Sequence, residues 1–370
     1  MVSTSYPADR SDWRGVFIRN LVEALSRHPQ VNLRLWSPPG DMPTACRYVA
    51  SSSERRWLTT LMSAGGIAHL MRKGGLGALA SPLRLLSMLG SMYRRETGID
   101  VLHVNWLQNT LPLPRCGRPL LVSVLGTDMQ LLKLPGMTSL LRRTFRGRRV
   151  AICPNAEWML PELERRFGDL ATVRFVPFGI DPGWYALQRN QEQTTGGKWL
   201  CVTRLTAAKL GPLFGWCEPH FAGTGQELHL FGPMQEQIEV PPWVHYHGAT
   251  TPDELRECWF PQATGLITLS RHAEGRPQVM LEAMAAGLPI IASRLPAHED
   301  LLDHRDTGWL CANSDELREA LAALSDAGSN IAMGERARDR ARRDMGDWDD
   351  CAARYVRVYD ALVLRESPHV

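Results

Sequence analysis

No uncharged apolar run in the 370 residues reaches the roughly 20 needed to cross a bilayer. The first thirty residues carry charges throughout, with no apolar core ahead of a small-residue cleavage site. Neither a membrane span nor a cleaved leader is expected, and the chain is expected to be made and kept in the cytoplasm. Cysteine occurs only as scattered single residues, at 46, 116, 153, 201, 217, 258, 311 and 351, without Cys-x-x-Cys spacing. That pattern offers neither a zinc site nor a disulfide framework, so reduced thiols are expected. Gly223-Thr-Gly225 precedes a strand-like run instead of following one, so it reads as a turn and not as a dinucleotide fingerprint. Asp347-Trp348-Asp349 imitates an Asp-x-Asp metal motif but stands just before the last helical segment, where an N-cap is the expected role. Internal repeats and low-complexity tracts are missing too.

What is present is length and alternation. The chain is long for one core and suits two domains, each able to bury a substantial interior. LRLWSP, DVLHVNW, PLLVSVLG and VAICPN read as strands of a first domain. KWLCVTRL, ELHLFG, WVHYHG, GLITLS and LPIIAS read as strands of a second. Strands separated by helical stretches predict parallel sheets with helical crossovers, an α/β fold. The polar, aperiodic stretch from Gln188 to Gly197 predicts the boundary. The domains then cover 1–187 and 188–346, with ELREALAAL and the segment after Trp348 helical.

Charge is unevenly spread under a net +3. Residues 1–150 hold 21 Lys and Arg against 8 Asp and Glu, or +13, and the remainder carries −10. Arg55, Arg56, Arg72, Lys73, Arg84, Arg94 and Arg95 interleave with apolar positions, and Leu85, Leu86, Leu89, Met92 and Tyr93 share one helical face. An earlier stretch from Trp57 to Met71 is interrupted at Gly65-Gly66. Such a surface suits anionic lipid headgroups, at about 1 kcal/mol per nearby cation, and equally suits a helix packed on its own core. No nucleic-acid module accompanies the basic residues, so nucleic acid is not an expected partner.

The most informative stretch is EGRPQVMLEAMAAGLPIIAS, with Glu274 in a glycine-containing loop and Glu282 eight positions later. Pro277 suits the first turn of a helix, and Gly287 ends it before a short strand-type run. The early amides around Gly275, Arg276 and Gln278 offer an anion site, and Gly275 lets backbone approach a ligand closely. Glu274 just outside the helix tip and Glu282 about one and a half turns inside could each accept hydrogen bonds from hydroxyls flanking a bound diphosphate.

This segment resembles the E-x7-E signature of retaining, nucleotide-sugar-dependent glycosyltransferases of the GT-B fold, group 1 type. Further segments agree in order over nearly the whole chain. TSYPADRSDWRGVFIRNLVEAL resembles the family's first strand and glycine loop, with Gly15 before a helix that faces the donor phosphates. DVLHVNW and SVLGTDM, with Gly126, resemble the next acceptor-domain strand ends, and VPFGID resembles the segment before the interdomain linker. VTRLTAAKLG resembles the Arg and Lys pair that embraces the diphosphate, here Arg204 and Lys209. The segment from 347 to 370 resembles the closing helix that returns to the first domain. Three departures stand out: Leu125 occupies the place of a histidine usual before Gly126, Arg14-Gly15 replaces a glycine pair, and the first strand begins almost at Met1.

The resemblance implies a GT-B fold, two Rossmann-like parallel-sheet domains facing a central cleft. It implies transfer of a sugar from a nucleotide diphosphate sugar to a glycan or lipid-linked acceptor, with no metal or other cofactor. Two carboxylates flanking the scissile bond, as a double displacement needs, are not assignable; the resemblance instead implies front-face attack with retention. Arg204, Lys209 and Glu274 would be catalytic, the first two stabilising the charge on the leaving diphosphate and Glu274 recognising the sugar, with Glu282, Gly275, Arg276, Pro277, Gln278, Gly15 and Gly126 on the donor. His103, Asn105, Trp106 and Asp128 follow strands and are candidate acceptor-site residues, although a histidine or aspartate so placed is as readily a satisfied core residue. A nucleotide-sugar epimerase or a phosphorylase on the same fold, or a noncatalytic binding subunit, are the alternatives. A phosphorylase would need a pyridoxal-phosphate lysine, for which no motif stands out.

Overall fold

The computed structural model describes residues 1–10, 12, 14–63, 76–190 and 197–364. It packs as two units, Met1–Phe178 with Trp348–Val370, and Gly179–Asp347. The Gln188–Gly197 stretch lies largely outside the described residues, as do Arg72, Lys73 and Gly65-Gly66. Packing changes hands ahead of the 187/188 boundary read from composition, because Ile180, Trp184 and Leu187 are buried in the second unit's core.

In the first unit β3 (Leu102–Asn105), β4 (Leu120–Val124), β5 (Val150–Pro154) and β6 (Thr172–Val173) form a parallel sheet in that order. β1 (Arg34–Leu35) and β2 (Arg47–Tyr48) pair separately. Val2 joins the two sheets through parallel bridges to Trp36 and Val104. Its amide donates to His103 O at 2.8 Å, its carbonyl accepts from Asn105 N at 3.0 Å, and Trp36 N donates to Met1 O at 3.0 Å. The few residues at the amino terminus therefore act as an interior strand.

Both faces of this sheet are covered, which explains why its strands read as continuous apolar runs. Leu120, Val122 and Val124 alternate with Leu121 between two cores. One core receives Leu85, Leu89, Met92 and Tyr93 of the helix Leu76–Arg95, and Leu141 and Phe145 of the helix Met137–Phe145. The other receives Ile18, Leu21, Val22 and Leu25 of the helix Val16–Arg27, together with Cys351, Tyr355, Val358 and Leu362 of the closing helix Trp348–Val363.

In the second unit six parallel strands run in the order β12-β11-β10-β7-β8-β9. They are β7 (Lys198–Val202), β8 (Glu227–Phe231), β9 (Val244–Gly248), β10 (Gly265–Thr268), β11 (Ile290–Ser293) and β12 (Trp309–Cys311). The chain runs one way from β7 and the other way from β10, so the order reverses between these neighbours. A crevice outside the carboxyl ends of strands at such a reversal is where open α/β sheets bind ligands. Every apolar run read as a strand contains one. Only the brief β2, β6 and β12 were not foreseen.

The basic stripe at 84–95 resolves to a core-packed helix. Leu85, Leu89, Met92 and Tyr93 face inward, Leu86 is half-buried, and Leu83 beside Arg84 is left exposed. Arg84 lies over the Trp57 ring at 5.5 Å, and Arg95 pairs with Glu54 at 3.1 Å.

Candidate functional site

Two loops leave the carboxyl ends of β7 and β10, on either side of the strand reversal. From β7 the chain passes Arg204 and turns into the short helix Ala207–Leu210, capped by Thr206, whose hydroxyl accepts Lys209 N at 3.2 Å. Gly211 closes that turn at φ +56°, with its α-carbon so near Leu269 O that a side chain would clash. From β10 the loop 269–277 carries Glu274 back over this turn. Lys209 Nζ meets Glu274 Oε1 at 2.6 Å, with both side chains 13% exposed.

The pair sits in a chain of hydrogen bonds. Ser270 Oγ donates to Glu274 Oε1 at 3.2 Å and accepts His272 N at 3.0 Å, while Ser293 Oγ donates to Ser270 O at 2.6 Å. His298 Nδ1 lies 2.8 Å from Ser293 O, which can only accept, so the proton is on Nδ1. His298 Nε2 is buried without a partner, as is His272 Nδ1. Burial lowers both imidazole pKa values and keeps the rings neutral. Burial alone would raise the Glu274 carboxyl, but the charge and hydrogen bond of Lys209 more than offset it and hold it below the ordinary glutamate value. Arg204 is partly exposed, and its positive charge acts on both Lys209 and His272. Arg204, Lys209 and Glu274 are thus brought together as expected. Ser270, His272, Ser293 and His298 were missed, because nothing in a serine at a strand end marks it before its partners are known.

The helix that follows runs Gln278–Ala285 with Pro277 as N-cap, and the chain turns at Gly287, φ +67°. Met280, Leu281, Ala283, Met284 and Ala285 are fully buried, which leaves Glu282 on the remaining face, partly exposed beside Gln278 one turn earlier. Burial lifts the Glu282 carboxyl to about 8, the Asp181 charge adds to this, and a hydrogen bond from Gln278 opposes it. The Arg276 side chain is committed elsewhere, its Nη2 and Nε reaching Asp300 Oδ2 at 2.7 and 3.2 Å with both side chains nearly buried. Any contribution of Arg276 to an anion site therefore rests with its backbone at the helix entrance, next to Gly275 and Gln278.

In the first unit Gly15 caps Val16–Arg27 at φ +73°, where a β-carbon would meet Ser5 Oγ at 2.6 Å. The acceptor candidates turn out differently. His103 is buried, with Nδ1 2.6 Å from Tyr359 Oη and Nε2 2.7 Å from Ser123 Oγ, which lies 2.9 Å from Tyr355 Oη. Asn105 is fully buried and donates to Val2 O at 3.0 Å. Asp128 is buried and accepts from Leu107 N and Leu125 N, both at 2.8 Å, with burial raising its carboxyl to about 7. The side-chain bonds of His103 and Asp128 all go to the interior, whereas Asn105 Oδ1 is buried without a partner. Trp106, partly exposed at φ +67°, stays at the surface against Phe17. Gly126 is buried in the first turn of the helix Gly126–Leu131, and Leu125 before it adds its side chain to the core.

Comparison with known proteins bears on the second unit first. Residues 216–327 match the family described as glycosyl transferases group 1, a span that holds Glu274 and Glu282. The chain is 27% identical over 143 residues to a D-inositol 3-phosphate glycosyltransferase of Corynebacterium kroppenstedtii, covering 38% of this chain and 31% of that one. It is 38% identical over 77 residues to N-acetyl-alpha-D-glucosaminyl L-malate synthase of Bacillus anthracis, 20% of either chain. The matches span less than a third of the length of these curated relatives. Among solved structures, sucrose-phosphate synthase of Thermosynechococcus elongatus superposes with a TM-score of 0.72 at 15% identity, over 99% of this chain and 98% of that one. Anabaena Alr3699/HepE superposes at 0.66 and 13% identity, over 94% and 96%. At such identities the likeness is one of fold.

Proposed function

We propose, from the premise that this chain is a GT-B protein with a group 1 glycosyltransferase domain, that it transfers a sugar from a nucleotide diphosphate sugar to a glycan or lipid-linked acceptor, with retention and without a metal. The observation that carries the reading is the meeting of Lys209 and Glu274 across the strand reversal, beside Arg204 and just ahead of the helix that bears Glu282.

A buried cation held by a carboxylate is preorganised to receive negative charge, and the first-turn amides of Gln278–Ala285 point the same way. In the proposed reaction the bond from sugar C1 to the diphosphate oxygen breaks and a bond from C1 to the acceptor oxygen forms on the same face. The acceptor proton passes to the leaving diphosphate. Charge on that oxygen grows toward the transition state, so Arg204 and Lys209 lower the barrier more than they tighten ground-state binding. Glu274 then faces the sugar, and Glu282 accepts the ribose hydroxyls. Polysaccharide or other envelope synthesis is the setting in which such an acceptor arises.

Incubation with radiolabelled nucleotide sugars and a membrane extract tests the reading. Label moving into lipid or polymer, with no loss on adding EDTA, is expected. Interconversion of the nucleotide sugars without transfer would mark an epimerase. Binding without turnover would mark a noncatalytic subunit, and loss of activity with EDTA would count against metal independence.

A further inference from the structure

Where β4 and β5 begin, the first unit carries a groove of about 1040 Å³ lined by the segments 111–117 and 139–148. Five of its lining side chains are arginines, Arg115, Arg142, Arg143, Arg146 and Arg148, and no carboxylate lines it. Between residues 111 and 150 eight Lys and Arg stand against a single acid, the buried Asp128. Arg142 is paired with Asp169, whereas Arg115, Arg143 and Arg146 are exposed and form no ion pair among the described residues. Arg148 lies deeper. Its Nη2 donates to Pro114 O at 2.7 Å, but Nε and Nη1 are buried without an acceptor. Buried donors of this kind are costly, and anionic oxygens entering the groove would satisfy them with charge-assisted bonds.

The second component is apolar. Leu140 lines the same groove at 53% exposure. At the same end of the sheet Arg149 Nη1 holds Val363 O at 3.2 Å, and there Val363 and Leu364 are 46% and 74% exposed. Of the six large apolar side chains left exposed among the described residues, Leu140 lies in this groove, and Val363 and Leu364, next to Arg149, lie in a neighbouring pocket that also holds Asp100 and Asp360. A free polyanion accounts for the arginines alone; a lipid headgroup layer accounts for arginines and leucines together.

We propose that this face docks on a bilayer rich in anionic phospholipid, the guanidiniums taking headgroup phosphates and Leu140 and Leu364 entering the interface. It lies at the strand starts, away from the strand ends that carry Gly15, Trp106 and Gly126, so docking leaves those loops open. The proposal stands apart from the group-transfer reading.

The test sediments the full chain with vesicles of phosphatidylcholine alone or with added phosphatidylglycerol, across a salt series, with inorganic pyrophosphate and an RNA oligonucleotide as soluble competitors. Binding should rise with phosphatidylglycerol and fall with salt. Charge reversal by R115E, R143E and R146E together should weaken it on the order of a hundredfold. Reversal by R84E and R94E, on the core-packed helix, should cost far less. Leu140→Ser keeps the charge and should weaken binding roughly tenfold. Circular dichroism of each variant separates lost docking from lost folding. Equal losses from the two sets of reversals, or no vesicle binding by the parent, would overturn the proposal. So would an unaffected L140S with RNA or pyrophosphate competing fully, which would mark a soluble polyanion site.

Discussion

In the first unit two buried polar side chains, His103 within β3 and Asp128 in the helix after β4, have their bonds filled from the interior: His103 bonds to Tyr359 and Ser123, and Asp128 takes two backbone amides. In the second, Lys209 and Ser270 both meet Glu274 at the one oxygen Oε1, while Arg204 and Glu282 keep part of their surface open. Both sets lie on the parallel strands or on the segments that follow them. What separates them is how much bonding capacity remains after folding. A neutral imidazole with both nitrogens engaged has none left, whereas an ammonium with three donors and a carboxylate with a second oxygen are not exhausted by bonds at Oε1.

The largest effect that would sharpen this contrast is on turnover. Lys209→Ala or Arg204→Ala should lower kcat by a hundredfold to a thousandfold, measured as nucleoside diphosphate release at saturating donor. Wild-type turnover in both variants would dissolve the distinction. Next comes stability in the other unit: His103→Ala should cost about 2–3 kcal/mol in urea denaturation, yet leave kcat within about twofold. A variant of normal stability and lost activity would return His103 to the acceptor site. Smaller again is an affinity change. Glu282→Ala should weaken free nucleoside diphosphate binding about tenfold by calorimetry, whereas Glu274→Ala should spare the free nucleotide and weaken the nucleotide sugar.

The smallest effect is the pH dependence of stability. The Glu282 carboxyl moves from 4.5 to about 8 on folding, so between those values the folded state holds a proton that the unfolded chain has released. The stability this group contributes is full below pH 4.5 and is lost as pH rises through about 8. After allowance for partial exposure, the drift should be on the order of 1 kcal/mol. Glu282→Gln should flatten it. A parent chain that gains stability over the same range, with the Gln variant unchanged, would place Glu282 in a more solvated setting.

Reading the sequence served well where the information was local. Pro277 and Gly287 bracket the helix, the alternating apolar runs place nine strands, and Glu274 and Glu282 fall where their spacing puts them. It served poorly where a residue's partner is remote. His103 looks the same as a ligand-binding histidine until Tyr355 and Tyr359, more than 250 residues later, are packed against it. The stripe at 85–93 has the period of a surface-seeking helix and of a core helix alike, and only the sheet beneath it decides. The Lys209–Glu274 contact was approached through the resemblance, since 65 positions separate the two and no periodicity links them.

The interior place of Val2 and the packing of Trp348–Val363 against Val16–Arg27 set an order on the ribosome. The segment around Val2 is made before the sheet it joins, and that sheet lacks part of the cover on one face until the helix Trp348–Val363 has been synthesised. The continuous stretch from Gly179 to Asp347 is complete beforehand. A nascent chain therefore carries an uncovered apolar face, formed by Leu121, Ala151 and Cys153 and the helix beside them, for most of its translation. Chaperone demand should fall on that earlier half, and deletion of the helix Trp348–Val363 should cause aggregation through it, even though the deleted residues lie far downstream in sequence.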